Sequence, residues 1–340
     1  MVQQLAELAT WMRDASPGGW AADEVRTLLQ GRGWELDGTG VRTGLPAGDA
    51  RLVSAGRRDE ASTVGLVVPL GTAADSSVLA QTTHFRRVAE EVVGVLGPAA
   101  ILGSHGDVGP FYEAVGPAWG SPYLRWRYHG GEGHSVELRA GRQGPELALM
   151  ATAPLENWFW KTEWGVFPAP TGYLGIRNTD PSLAGFGWPG GCRAEDWKGF
   201  EEALASWLGA LAAEKHALGI RFSPFFFGGG TAFLHLDVGR DQVRASAFIQ
   251  NSVDAAALGW TRAPDDDCPF DDRTEWEVTS GGVGETDGAA LARAIVAACR
   301  ASGGTTPTEF LTIGGEGTDA TTAAGDRYDL TFYQLGLPVG

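Results

Sequence analysis

Apolar residues recur at three- and four-residue spacing from Trp197 through Phe200, Leu204, Trp207 and Leu208 to Leu211, the stripe of an amphipathic helix. Three strand-like runs follow at 220–227, 231–238 and 243–251. Gly228-Gly229-Gly230 and Arg240-Asp241 separate them, and both are short enough to turn a hairpin. Beyond Leu258-Gly259-Trp260, an acidic loop leads to a short strand at 275–278 and a helix over 287–302, which Gly303-Gly304 and Pro307 terminate. The first half has the same ingredients. Leu5, Leu8, Trp11 and Met12 form a short helical stripe, and 23–29 a second helix. Strands are predicted at 41–43, 50–54 and 63–70. Phe85, Val88, Ala89, Val92 and Leu96 then place a helix over 82–96, with Gly97-Pro98 as its stop. Strands at 123–128, 135–140 and 146–152, joined by glycine-containing turns, complete this half.

These elements predict an α+β protein of two domains, 1–164 and 193–340, each an antiparallel sheet with helices packed on one face. Residues 165–192 between them are rich in Gly and Pro, yet hold Phe167, Tyr173, Leu174, Ile176, Phe186 and Trp188. A flexible linker would lack such large apolar side chains, so a packed connector with a strand at 173–177 is expected. The tail has strand character at 328–335.

In the second half, the order helix, three-stranded meander, short strand, helix resembles the peptide-binding chaperone domains of the YbjN and type III secretion chaperone kind. The likeness is carried by Val243-Arg244-Ala245-Ser246-Ala247, Leu258-Gly259-Trp260, Trp276 and the run from Ala289 to Ile295. It covers roughly a third of the chain, and the insertion at 265–272 departs from it. The first half resembles an uncharacterised actinobacterial α+β domain, through Gly31-Arg32-Gly33-Trp34, the 136–149 hairpin and Glu156-Asn157-Trp158-Phe159-Trp160. That resemblance implies a fold and no chemistry.

Composition narrows the function classes. At 340 residues the chain is long for one core and suits two domains. Its 43% hydrophobic and 20% charged residues describe a globular protein. The net charge of −16, most of it in the second half, disfavours nucleic acid and anionic lipid and suits a basic partner. No apolar run is long enough to cross a bilayer, and the first residues lack the basic start and apolar core of a secretory signal. Cys192, Cys268 and Cys299 fit neither a disulfide framework nor a zinc pattern. A cytoplasmic location is the expectation, with no nucleic-acid or membrane partner.

Few residue sets suggest chemistry. His129, Glu132 and His134 are common ligand types, but they sit on a glycine-rich turn without a further His or Cys nearby, and read as solvated. Ser104-His105-Gly106-Asp107 reads as a loop, because adjacent residues seldom point at one another as a triad requires. Gly228-Gly229-Gly230-Thr231 and Gly281-Gly282-Val283-Gly284 match no phosphate-binding fingerprint and read as glycines chosen for positive φ. No catalytic residue, cofactor or metal site is therefore expected.

Binding groups are easier to name. Phe225, Phe227, Phe233, Leu234, Phe248 and Ile249 lie on the meander, where alternation sends some to the core and others to a free face. Trp158, Trp160 and Trp164 form an aromatic cluster that either packs the domain junction or lines a groove. Asp265, Asp266, Asp267, Asp271 and Asp272 are the densest charge in the chain; they lack the spacing of a calcium loop, and either stay solvated or dock Lys and Arg of a partner. The resulting expectation is a non-catalytic chaperone or adaptor holding a segment of a partner protein. The alternatives are an immunity protein neutralising a basic toxin and an accessory subunit of a peptide-modifying enzyme complex.

Overall fold

The computed structural model describes residues 2–16, 18–54, 64–104, 117–128, 133–154, 175–178, 196–223, 225–228, 231–264, 268–307, 312–313 and 319–331. Helices and antiparallel sheets make it an α+β protein. The chain divides into two compact units, Met1–Gly172 with Arg177–Pro189, and Tyr173–Ile176 with Gly190–Gly340.

The first unit opens with α1 (Val2–Asp14) and α2 (Ala22–Gly31). Strands β1 (Glu35–Asp37), β2 (Gly40–Arg42), β3 (Ala50–Ser54) and β4 (Val64–Pro69) follow, then α3 (Val78–Leu96). A second set, β5 (Ile101–Ser104), β6 (Pro122–Tyr128), β7 (His134–Ala140) and β8 (Pro145–Ala151), completes it. The strand order β1-β2-β3-β4-β8-β7-β6-β5 joins two four-stranded meanders through β4 and β8, with Leu66 opposite Leu149 and Val67 opposite Ala148. Every neighbouring pair is antiparallel, so β4 and β5 run in the same direction. A hairpin cannot connect such strands, and α3 supplies the crossover. The Ser77 side chain accepts from Ala80 N–H at 3.2 Å to start α3, and Gly97 at φ +79° ends it.

Alternation decides which sheet face the helices cover. α1 packs on α3 and on β7, and His134 of β7 bonds the Arg13 carbonyl at 3.0 Å. The covered face is thus that of His134, Val136 and Leu138. Leu66, Leu138 and Leu147 of the sheet are buried, as are Met12, Phe85 and Val92 of the helices. The Trp126 indole donates to the Gly97 carbonyl at 2.9 Å and fixes the turn after α3. Two strands, β1 and β5, were not expected. β5 has only four residues, Ile101-Leu102-Gly103-Ser104, soon after a Gly-Pro stop, and is too short to show a period.

Within the connector, β9 (Gly175–Asn178) is a strand, shifted from the expected 173–177; the rest of 165–192 lies outside the described residues.

The second unit begins with α4 (Trp197–Leu218), which Asp196 caps by accepting from Gly199 N–H at 2.7 Å and Gly219 ends in the left-handed conformation. Strands β10 (Ile220–Arg221), β11 (Phe225–Gly228), β12 (Thr231–Val238), β13 (Gln242–Gln250), β14 (Thr261–Arg262) and β15 (Arg273–Gly281) follow, then α5 (Gly288–Ala301). The last strands are β16 (Thr312–Ile313), β17 (Asp319–Thr322) and β18 (Arg327–Thr331). One sheet runs β14-β15-β13-β12-β11-β16, and β10 pairs with the β17–β18 hairpin. The strand expected at 220–227 is therefore two strands with different partners. Lys215 holds that break: its ammonium donates to the Phe222 carbonyl at 2.9 Å and the Val238 carbonyl at 2.6 Å. The strand expected at 275–278 is nine residues long, paired with β13 along its whole length.

Helices α4 and α5 meet at Gly288, where a Cβ would collide with the Ala205 carbonyl and the backbone of Gly209. A Cβ on Gly209 itself would meet nothing within 4 Å. Gly288→Ala is expected to lose about 1–3 kcal/mol to overpacking, whereas Gly209→Ala should gain up to about 1 kcal/mol from helix propensity. Urea unfolding of both variants checks the contrast, and equal effects would refute the close approach.

Candidate functional site

The second unit's six-stranded sheet has one face committed to helices. Leu234, Leu236 and Val238 of β12 and Val243, Ala245, Ala247 and Ile249 of β13 are buried on it. α5 packs there against β13 and β15, and the Trp260 indole donates to the Ala294 carbonyl of α5 at 3.1 Å. The alternate positions form the other face. His235, Asp237, Arg244, Ser246, Phe248 and Glu277 are all half-exposed, and register sets His235 beside Ser246, Asp237 beside Arg244 and Phe248 beside Glu275.

Electrostatics organise this face around Arg244. Its guanidinium lies 3.5 Å from Asp237 and 3.7 Å from Glu277, long pairs that fix its position loosely, and its Nε has no hydrogen-bond partner. Burial holds the His235 imidazole below its usual pKa, which Asp237 partly opposes. At one end, Phe248 meets Phe270 edge-on at 5.8 Å, and the Arg273 guanidinium covers the Phe270 ring at 5.0 Å. The face thus mixes an aromatic end with a charged middle.

The residues named from sequence separate accordingly. Leu234 and Ile249 are core, at 2% and 0% exposure, and offer nothing to a ligand; the period of two places them with Ala245 and Leu236. Phe248 is on the face opposite α5. The backbone pairs Phe225 with His235 and Phe227 with Ala232 across a bulge; the side chains of Phe225, Phe227 and Phe233 lie outside the described residues. So do Trp158, Trp160, Trp164, Asp265, Asp266 and Asp267. Asp271 and Asp272 are exposed in the turn that leads into β15, next to the Phe248–Phe270 end.

In the first unit the structure buries what sequence reading would leave in water. Arg125 and Glu137 form a 2.8 Å pair with side chains 6% and 0% exposed. On the same face Glu146 bridges Arg51 at 3.0 Å and Arg139 at 3.4 Å. The alternation of Arg125, Arg127, Ser135, Glu137 and Arg139 against Leu and Val was the available signal, and it reads as a solvated face. His134, expected on a solvated turn, is instead 3% exposed in β7 and stacked by Tyr128 at 5.2 Å. His129 and Glu132 lie outside the described residues. The glycines of the 281–284 run also act differently from expectation. Only Gly284 has positive φ; Gly281 and Gly282 are there because a Cβ would strike Glu285 and the Arg240 carbonyl, respectively.

No group of three or more His, Cys, Asp or Glu is gathered to hold a metal among the described residues. The Cys299 thiol is buried, which raises its pKa and makes it a poor nucleophile. No described helix is long and apolar enough to cross a membrane. No family model, curated protein or solved structure matches the chain.

Removing one partner of the buried pair leaves the other charge stranded. Glu137→Ala is expected to cost about 3–5 kcal/mol, and adding Arg125→Met should recover most of that loss. Urea denaturation of the single and double variants measures it. A double variant as unstable as the single would show that Arg125 carries other essential contacts.

Proposed function

We propose that the chain is a non-catalytic cytoplasmic chaperone or adaptor that holds an extended segment of a partner protein on the sheet of its second unit. The observation that carries this reading is the face of that sheet opposite α5, with Phe248, His235, Arg244 and Glu277 half-exposed along long antiparallel strands. Such a surface offers an apolar anchor and charged groups to a peptide lying across it. The edge supports the same mode. Among the described residues, β14 covers the outer edge of β15 only at Trp276 and Glu277, with Ala263 N–H donating to the Glu275 carbonyl. The remaining edge positions can pair with an added strand. The net charge of −16, with Asp271 and Asp272 exposed beside the aromatic end, favours a basic segment.

A photo-crosslinking amino acid at position 248 is expected to capture partner peptides in cells, whereas the same group at exposed position 293 on α5 should not. Equal capture at both positions, or none at 248, would overturn the assignment of the face. Once a partner is in hand, Asp271→Asn with Asp272→Asn should slow association and flatten its salt dependence while leaving dissociation nearly unchanged. Exposed charges act over a Debye length of about 8 Å at physiological salt, so they steer encounter more than they hold the complex. Stopped-flow at two salt concentrations reads this, and an unchanged on-rate would leave the apolar anchor as the sole determinant.

A further inference from the structure

The first unit contains a cavity that the peptide-holding reading does not use. It has a volume of about 340 Å³ and lies between α1 and α3, under the β2–β3 turn and the chain leaving β4. That is within the range of small-molecule pockets, roughly 300–1,000 Å³. Its walls are mainly aliphatic: Leu5 and Leu8 of α1, Leu45 and Pro46 of the turn, Pro69, and Val88 of α3.

The walls are held in place before anything binds. In the β2–β3 turn, Thr43 N–H donates to the Asp49 carboxylate at 3.1 Å, the Thr43 hydroxyl donates to the Gly48 carbonyl at 3.1 Å, and Leu45 N–H donates to that hydroxyl at 3.1 Å. On the other side, Leu70 N–H bonds the Pro145 carbonyl at 2.9 Å, and Gly144 sits so close to the Gly71 carbonyl that no side chain would fit. A cavity with both rims pinned is preorganised, which lowers the cost of filling it.

The charged and ionisable groups on the wall come from one stripe of α3. His84, Arg87, Val88 and Glu91 follow the three- and four-residue spacing that shares a helix face. Arg87 donates from Nη2 to Nδ1 of His84 at 3.0 Å. Arginine has no acceptor to offer, so Nδ1 must be the unprotonated nitrogen and the ring proton sits on Nε2. Burial, and then the Arg87 charge, hold the imidazole below its usual pKa and keep it neutral. His84 is 8% exposed, with the Gly71 carbonyl as the acceptor nearest to its ring on the other side from Arg87. Arg87 is exposed, and the bond to His84 engages one of its five N–H groups.

We propose that this cavity binds a small amphiphile with a carboxylate head, its apolar body against Leu5, Leu8 and Pro69 and its head at Arg87. The guanidinium keeps N–H groups that His84 does not use, and a carboxylate has two oxygens to accept from them in parallel. Glu91, one turn beyond Arg87, Gln4 of α1 and Thr72 after β4 are the other polar wall residues. Glu91 is the group an amine head would choose, so head-group preference separates the two arrangements.

The test uses the full chain with octanoate, octanamide and octylamine as probes, titrated by calorimetry or saturation-transfer NMR. Octanoate is expected to bind saturably and at least about tenfold more tightly than octylamine. Arg87→Ala should weaken octanoate by about tenfold or more and erase its advantage over octanamide, and Ala47→Phe, which fills the cavity, should abolish binding of all three. No saturable octanoate binding at millimolar concentration, octylamine binding as tightly as octanoate, or octanoate binding untouched in both variants would each overturn the proposal. Thermal melts establish that the variants fold. If Ala47→Phe does not, Arg87→Ala decides alone, because Arg87 is an exposed helix residue whose loss leaves the core intact.

Discussion

The ladder between Gln242–Gln250 and Arg273–Gly281 is the constraint on which the second unit depends. Nine residue pairs run without a bulge, so one register decides the fate of every side chain on both strands. A slip by one position would send Val243, Ala245, Ala247 and Ile249 to the outside and bring Arg244, Ser246 and Phe248 under the helices. Burying Arg244 away from Asp237 and Glu277 is the steeper part of that penalty. The same ladder therefore builds the core and displays the face assigned to binding.

The first unit solves a different problem. Its two meanders meet at β4 and β8, and α3 must cross over the sheet because β4 and β5 run the same way. That crossover lays α3 beside α1 and leaves His84, Arg87 and Glu91 at the mouth of the space between them. The cavity is thus a by-product of topology, and its polarity comes from the face that α3 turns toward α1. On the opposite sheet face, Arg125, Glu137, Arg139, Glu146 and Arg51 pair across four strands. Buried pairs of this kind add little net stability, but they penalise wrong registers heavily.

The two units present physically different surfaces. The second unit's sheet face is broad, half-exposed and mixed in charge, which suits an extended chain that gains affinity from many weak contacts. The first unit's cavity is concave and preformed with Arg87 on its wall, which suits a small molecule oriented by a single polar head.

How much of this was legible beforehand depends on whether a signal was local. The helical stripes of α3, α4 and α5 and the alternation of β12 and β13 are written in the order of residues, because burying one face imposes a period of 3.6 or 2 on the chain itself. The stops of α3 and α5 were legible in Gly97 and Gly303, whereas α3 starts at Val78, four residues ahead of the expected 82, because the Ser77 cap precedes the apolar stripe. Pairing between distant strands was not. Sequence alone could not tell that the 220–227 run splits between two partners, that Arg125 and Glu137 meet in the interior, or that His134 lies under α1. Nor could it place His84 on a cavity wall, since the residues around it come from four separate stretches of chain. The amino-acid order sets which side chains share a face. Only the tertiary structure decides what lies opposite that face, and so whether a charge is solvated, paired or left with a donor to offer.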